Sequence, residues 1–269
     1  MTDTYTGHYP IERREGEIER LRIQAEAMAP FADSMLDIIG VSDGWSCLDI
    51  GCGPGGITTL MSKRCGPSGN VVGLDMDPFF LEVARARAPA NVRFEQDDAY
   101  AAHLPSDSFD LVHMRFVAST SGDPERLIAE AVRLARPGGI VALQEPDGTT
   151  LNCYPPHPAW DVLKNALLGS FRSVGADLTL ASRLYFLMYR SGLRDVQLRP
   201  FIVGVRSKDP MVDYLPATVE SLRGTVIANG LLSKAELDEA LGECRAHLSK
   251  PGTSFTMYWV AQVWGRKPT

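Results

Sequence analysis

The residues most able to do chemistry are Leu48-Asp49-Ile50-Gly51-Cys52-Gly53-Pro54-Gly55-Gly56, where a β-like run, Ser46–Ile50, passes into a helical one. Glycines here permit positive φ and let a ligand approach the backbone, and the helix start offers free N–H groups to an anion. Gly51, Gly53 and Gly56 satisfy the G-x-G-x-x-G spacing of dinucleotide sites. Three features turn the reading elsewhere. Asp49, two residues before the first glycine, would repel a pyrophosphate but suits a sulfonium or ammonium. Gly55 and Gly56 crowd the loop beyond what a dinucleotide needs. A second acidic site, Asp97-Asp98-Ala99, follows the third β-like run, where an adenine amine could be read. Together they favour S-adenosylmethionine over NAD.

The elements that must position these residues are legible as a βα alternation from Val41 to Gln144. Strands are expected at Ser46–Ile50, Asn70–Leu74, Val92–Phe94, Phe109–His113 and Ile140–Leu143, and helices at Gly56–Arg64, Pro78–Ala88 and Pro124–Ala135. Asp-Pro pairs open the last two helices, suiting a cap and first turn. Parallel strands with right-handed crossovers make a doubly wound sheet, which binds ligands at its strands' carboxyl ends. Upstream, Ile11, Ile18, Leu21, Ala25 and Met28 share one helical face, and Pro30 is expected to kink that helix or separate it from Phe31–Ile39. Downstream, proline-rich Asp147–Pro158 reads as irregular. Helices follow at Ala159–Val174 and Leu178–Ser191, then β-like runs at Val196–Val205 and Ser254–Trp264 flank a helical stretch, Asp209–Lys250.

Composition narrows the function. With 269 residues, 45% apolar and 22% charged, the chain can bury a large core without disulfides or a structural metal. Twenty-seven Lys and Arg against 33 Asp and Glu give a net charge of −6, which disfavours nucleic acid or an anionic membrane as partner. Five cysteines, none in C-x-x-C spacing, read as reduced thiols. The start lacks the basic and apolar regions of a leader, and no stretch reaches the ~18 apolar residues of a span. A cytoplasmic protein acting on a small molecule is expected, with self-association left open.

Residues 45–145 resemble a class I S-adenosylmethionine-dependent methyltransferase of the kind grouped with ubiquinone/menaquinone-biosynthesis enzymes. Leu48–Gly56 is similar to that family's first motif and Val72-Gly73-Leu74-Asp75 to its acidic second motif. Gln96-Asp97-Asp98-Ala99, with Leu104-Pro105 and Ser108-Phe109-Asp110, resembles the third block, and Leu134-Ala135-Arg136-Pro137-Gly138-Gly139 the turn before the fifth strand. The resemblance implies a Rossmann-like α/β fold with a doubly wound, mostly parallel seven-stranded sheet and helical cap segments. Residues 1–40 would then be N-terminal helices closing the cofactor pocket, and 41–269 the core, with cap insertions at about 147–176 and 208–250.

Residue by residue, the resemblance implies that Asp75 accepts the ribose hydroxyls and that Asp98 and the Ala99 amide read the adenine, with Asp97 in reserve. Met76 lies either against the adenine or in ordinary packing. Asp49, Gly51 and Gly53 line the cofactor loop, with Asp49 and Gly51 at its methionine end. Arg115 either pairs with the cofactor carboxylate or lines the substrate mouth. Tyr9 either caps the methionine end or staples its helix to the core, and Gln24 is a weaker candidate.

Methyl transfer from a sulfonium is an in-line displacement that needs positioning and desolvation, and a base only if the acceptor must lose a proton. His113, at the end of strand four, is the positional candidate for that base unless only its backbone serves. His157 and Glu145 are further candidates. No Asn/Asp-Pro-Pro-aromatic motif follows strand four, which argues against DNA-adenine or protein-glutamine acceptors. No histidine–acid cluster suggests a metal. Tyr154, Trp160, Phe171, Tyr214, Tyr185, Phe186 and Tyr189 either fill the core or face a bulky apolar acceptor such as a terpenoid or prenylated aromatic of secondary metabolism. Alternatives are a methyltransferase-fold cyclase or isomerase, and a non-catalytic cofactor-binding regulator.

Overall fold

The computed structural model describes residues 16–269. Its main sheet contains β1 (Ser46–Ile50), β2 (Asn70–Asp75), β3 (Val92–Gln96), β4 (Phe109–Arg115), β5 (Ala135–Asp147), β7 (Arg194–Phe201) and β10 (Trp259–Arg266), ordered β3-β2-β1-β4-β5-β10-β7. β1 to β5 pair in parallel, and β10 runs antiparallel to both β5 and β7. The order reverses between β1 and β4, so their carboxyl ends border the crevice where such sheets take a ligand.

Alternation along the strands sends side chains to two different layers. Leu48 and Ile50 of β1, with Val112 and Met114 of β4, pack beneath α4 (Pro124–Leu134) and α6 (Ala181–Arg190). Cys47 and Leu111 face the other way, onto α2 (Gly56–Cys65) and the second half of α1 (Glu17–Ile39). The expected caps form. Asp77 accepts from the Phe79 amide at the start of α3 (Pro78–Arg85), and Asp123 from the Arg126 amide at the start of α4. Each aspartate precedes a proline whose missing N–H costs a first turn nothing.

A third apolar cluster stands over the strand ends. It joins α5 (Pro158–Ser173), α7 (Tyr214–Glu220), α8 (Arg223–Ala228) and α9 (Lys234–Leu248) to a small antiparallel sheet of β6 (Asn152–Tyr154), β9 (Ser254–Thr256) and β8 (Gly204–Arg206). Trp160, 1% exposed, lies within it against Phe255 at 5.0 Å between ring centroids.

Several expectations are corrected. α1 runs unbroken through Pro30, and its buried side includes the polar Glu17 and Gln24 beside Met28 and Met35. Proline removes one N–H and disfavours the helix locally, but cores buried on both sides of it offset that loss. Ile11 and Tyr9 lie outside the described residues. Asp147–Pro158 is not irregular throughout: Gly148–Thr150 is a 3-10 turn, and Asn152–Tyr154 pairs with Ser254–Thr256. The single runs expected at Val196–Val205 and Ser254–Trp264 are each split between the two sheets. The helical stretch from Asp209 is divided into a 3-10 turn and three helices. Tyr154, Tyr185, Phe186 and Tyr189 are exposed, whereas Trp160, Phe171 and Tyr214 are buried.

Candidate active site

The glycine loop has the backbone its composition requires. Gly51, Gly53 and Gly55 take φ of 67°, 51° and 88°. At Gly51 a Cβ would stand 2.3 Å from Val117 Cγ2, so the loop after β4 closes directly on the loop after β1. The Gly51 and Cys52 amides both donate to the Leu74 carbonyl, at 2.7 and 3.0 Å, which holds the loop against the end of β2.

Asp75 ends β2 with its carboxylate oriented by two amides, Gly53 N at 2.8 Å and Asp77 N at 2.9 Å. Burial raises its pKa above the usual carboxylate range, and those two amides oppose the shift. Beyond it Met76 is 56% exposed. After β3, Asp97 is occupied by His103, accepting from its amide at 2.6 Å and bonded to its ring Nδ1 at 2.9 Å. Asp98 is exposed and gives only Oδ1 to the Tyr100 amide, with Ala99 half-buried beside it. Of the two acidic residues, Asp98 is the one turned outward.

Asp49 and His113 occupy adjacent register positions on β1 and β4. Asp49 Oδ1 lies 2.9 Å from His113 Nδ1, and Asp49 Oδ2 accepts from Thr58 Oγ at 2.7 Å. His113 Nε2 lies 2.9 Å from Gln144 Nε2. With both ring nitrogens engaged and no exposed surface, His113 is not placed as a base toward an acceptor. Its ring serves the carboxylate beside it.

Arg115, two residues on, ends β4 on the same side. Its Nη2 would stand 4.0 Å from a Cβ at Gly56, near the start of α2, and its Nη1 is buried without a hydrogen-bond partner among the described residues. Burial lowers its pKa, and the Asp49 carboxylate opposes that shift. An enclosed guanidinium nitrogen left unpaired is costly unless an anion completes it. Asp49 and Arg115 therefore offer a carboxylate and a guanidinium within one crevice, matching the ammonium and carboxylate of an amino-acid moiety. The residues present fit S-adenosylmethionine: a glycine loop, a ribose-type carboxylate and this charge pair.

Glu145 supports the floor rather than the acceptor. Fully buried, it accepts from the amides of Val117, Ala118 and Ser119 at 3.3, 3.0 and 3.1 Å. Burial pushes its pKa up to about 7 against the pull of those amides. The clamped loop begins at Phe116, a non-glycine residue at φ 60° whose amide donates to the Gln144 carbonyl. Such a conformation costs of the order of 1 kcal/mol and collects at functional sites. The Phe116 ring meets Tyr258 edge-on at 5.6 Å, and Tyr258 shares a 2.7 Å hydroxyl contact with Tyr214 of α7. Gln24 of α1 reaches Tyr258 at 3.5 Å and accepts from Arg20 at 3.1 Å.

His157 is placed elsewhere. It caps α5, accepting from the Ala159 amide at 3.3 Å, and its ring packs on His247 at 4.6 Å. Sequence reasoning missed Thr58, Phe116, Gln144, Tyr258 and Gln262. The usable signal is a glutamine set in an apolar run, Gln144 after Ile140–Leu143 and Gln262 within Trp259–Trp264.

A fold with this switch-point crevice and charge pair fits the class of enzymes that bind a nucleoside carrying an amino-acid group, and comparison with known proteins supplies the family. A methyltransferase-domain family model matches residues 41–174, and this chain belongs to the class I S-adenosylmethionine-dependent methyltransferases. The ubiquinone/menaquinone biosynthesis C-methyltransferase UbiE of Hahella chejuensis is 36% identical over 171 residues, covering 54% of this chain and 68% of that protein. The demethylmenaquinone methyltransferase of Lactococcus lactis is 36% identical over 120 residues, covering 43% of this chain and 48% of its own length. The chain thus spans about half the length of the first curated relatives. A crystal structure assigned as a methyltransferase from Bacillus halodurans shares the fold, with a TM-score of 0.61 at 19% identity over 88% of this chain and 99% of that one. Among the described residues no helix is long and apolar enough to cross a membrane, and no group of three or more His, Cys, Asp or Glu could hold a metal.

Proposed function

We propose that this chain methylates a small, mainly apolar acceptor, with the cofactor's methionine end at Asp49 and Arg115 and its nucleoside end at Asp75 and Asp98. The observation that carries the reading is the juxtaposition of the Asp49 carboxylate with the unpaired, buried Arg115 Nη1 beside the glycine loop. S-adenosylmethionine, when bound, supplies an activated methyl on a sulfonium. The protein's share is to orient and to exclude water. Glu145 holds the 116–119 loop, Phe116 backed by the buried Tyr258 gives an aromatic wall, and α1 with segments 147–176 and 208–250 acts as the cap.

The acceptor class follows from that surface. Phe116 is half-buried at the head of the loop after β4 and is backed by the buried Tyr258–Tyr214 pair, an aromatic wall that suits a prenylated aromatic or terpenoid, including an electron-rich ring carbon or alkene. The relatives named for demethylmenaquinone and ubiquinone/menaquinone methylation support an aromatic acceptor. Methyl-labelled cofactor with panels of hydroquinones, prenylated phenols, terpenoids and carboxylic acids tests this. Label in an aromatic or terpenoid product is expected. Label only in carboxylic acids, or a rearranged unlabelled product as from a cyclase, overturns it.

A further inference from the structure

A line of buried polar side chains crosses four adjacent strands of the main sheet: Asp49 on β1, His113 on β4, Gln144 on β5 and Gln262 on β10. Gln144 and Gln262 are register partners, as are Asp49 and His113. His113, Gln144 and Gln262 have no exposed surface, and Asp49 is 3% exposed. They lie in a layer otherwise built from Cys47, Leu111, Ile140 and Ala142. Polar groups so buried are costly unless hydrogen-bonded, and Gln262 Oε1 finds no partner among the described residues, so apolar residues would fill the layer at less risk. Their presence calls for a role beyond packing.

The hydrogen bonds of the line can run in only one direction. Gln262 Nε2 reaches the Phe31 carbonyl of α1 at 3.0 Å and Gln144 Oε1 at 3.0 Å. A backbone carbonyl only accepts, so the Gln262 amide nitrogen must face it, and the same NH2 group supplies both bonds. Gln144 then presents its oxygen to Gln262 and its NH2 to His113 Nε2 at 2.9 Å. That ring nitrogen must accept, which places the imidazole proton on Nδ1, facing Asp49 Oδ1 at 2.9 Å. A backbone carbonyl in α1 thereby fixes a histidine tautomer three side chains away. With Thr58 donating to the other oxygen at 2.7 Å, the Asp49 carboxylate is held by two donors and keeps lone pairs for a third.

We propose that Gln262, Gln144 and His113 are positioning residues that aim Asp49 at the ammonium of the cofactor's methionine portion, with the seat of α1 as the distal anchor. This rests on the placement of that methionine portion at Asp49 and Arg115. The line acts as the second tier found behind metal and catalytic ligands, where an outer partner fixes the donor that fixes the ligand.

The test compares two probes by calorimetry: S-adenosylhomocysteine, which carries the amino-acid head, and 5′-methylthioadenosine, which shares the nucleoside and thioether but lacks it. In the full chain, His113→Leu is expected to weaken S-adenosylhomocysteine about tenfold, the loss of one well-aimed charge-assisted bond, and to leave methylthioadenosine within about twofold by the same argument. His113→Asn, which can keep a donor toward Asp49, is expected to recover most of the loss. Equal weakening of both probes, no weakening of either, or no rescue by asparagine overturns the proposal. Nitrogen-15 spectra of histidine-labelled wild-type protein give a second readout that needs no variant to fold. They should show His113 with a protonated Nδ1 and a bare Nε2, and the opposite tautomer overturns the line's direction. If the wild-type chain binds neither probe the cofactor placement itself fails. If it binds both equally well, the amino-acid head is not read at Asp49 and Arg115 and that placement fails with the proposal, whereas a wild-type preference for S-adenosylhomocysteine that His113→Leu leaves intact makes the proposal fall alone.

Discussion

Glu145 couples the stability of this protein to pH in a direction opposite to that of most carboxylates. Its folded pKa is about 7, against 4.5 for the unperturbed group, so the folded chain holds this proton more tightly than the unfolded one. Stability from the group is fully present below pH 4.5 and is lost as pH rises toward about 7. Linkage with those two values puts the contribution at about 3 kcal/mol in all, of which about 2 kcal/mol disappears between pH 5.5 and 8. For a chain of this size that corresponds to a fall of about 5 °C in Tm. Urea titrations followed by tryptophan fluorescence at the two pH values measure it, and Glu145→Gln separates it from other titrating groups. The variant should be less stable at pH 5.5, by roughly 1–3 kcal/mol, because its NH2 meets backbone donors. Its stability should also lack the decline of about 2 kcal/mol between the two pH values. Parallel pH profiles for wild type and variant would refute the reasoning.

Three further outcomes are expected. Asp75→Ala should weaken S-adenosylhomocysteine at least about tenfold, as removing a charged acceptor of the two ribose hydroxyls does. Unchanged affinity in calorimetry would remove Asp75 from the site. Gly51→Ala places a Cβ 2.3 Å from Val117 Cγ2 at φ 67° and should cost about 1–3 kcal/mol while displacing the 116–119 loop; a melt within 1 °C of wild type, about the noise of the method, would contradict it. Ser233→Ala breaks the capping box of α9 with Glu236 and should lower stability by about 1 kcal/mol without altering cofactor affinity.

The positions proposed for the cofactor are legible because they are local. The 48–56 loop, Asp75 and Asp98 each sit at a strand end whose position follows from a contiguous βα pattern, and Ser46–Ile50 and its glycines carry their own conformational demands. What could not be read depends on partners remote in sequence. β6 exists only because Phe255 and its neighbours pair with Cys153 across a hundred residues. Gln24 and Tyr258 meet across 234 positions. His113 looked like a base because its strand end was known and its neighbours were not: Asp49 and Gln144 arrive from flanking strands, and their register converts a reactive ring into a fixed donor. Pro30 misled for a related reason, since local propensity is outweighed when tertiary burial lies on both sides.

That proline also marks where α1 passes from one core cluster to another. Below it, Ala32, Met35, Leu36 and Ile39 belong to the sheet layer, whereas Met28 above it belongs to the cap cluster. Ala25, on the upper half, comes within 3.2 Å of a Cβ position at Gly56 and so lies over the entrance to the glycine loop. One rigid rod thus has its lower half bolted to the sheet, with Gln262 gripping the Phe31 carbonyl just past the break, and its upper half resting on the doorway. Pro30 offers no N–H to the Glu26 carbonyl one turn earlier, so the rod is weakest where its two halves meet. Amide exchange should accordingly be faster across residues 17–28 than across 32–39, and cofactor should slow the first stretch alone.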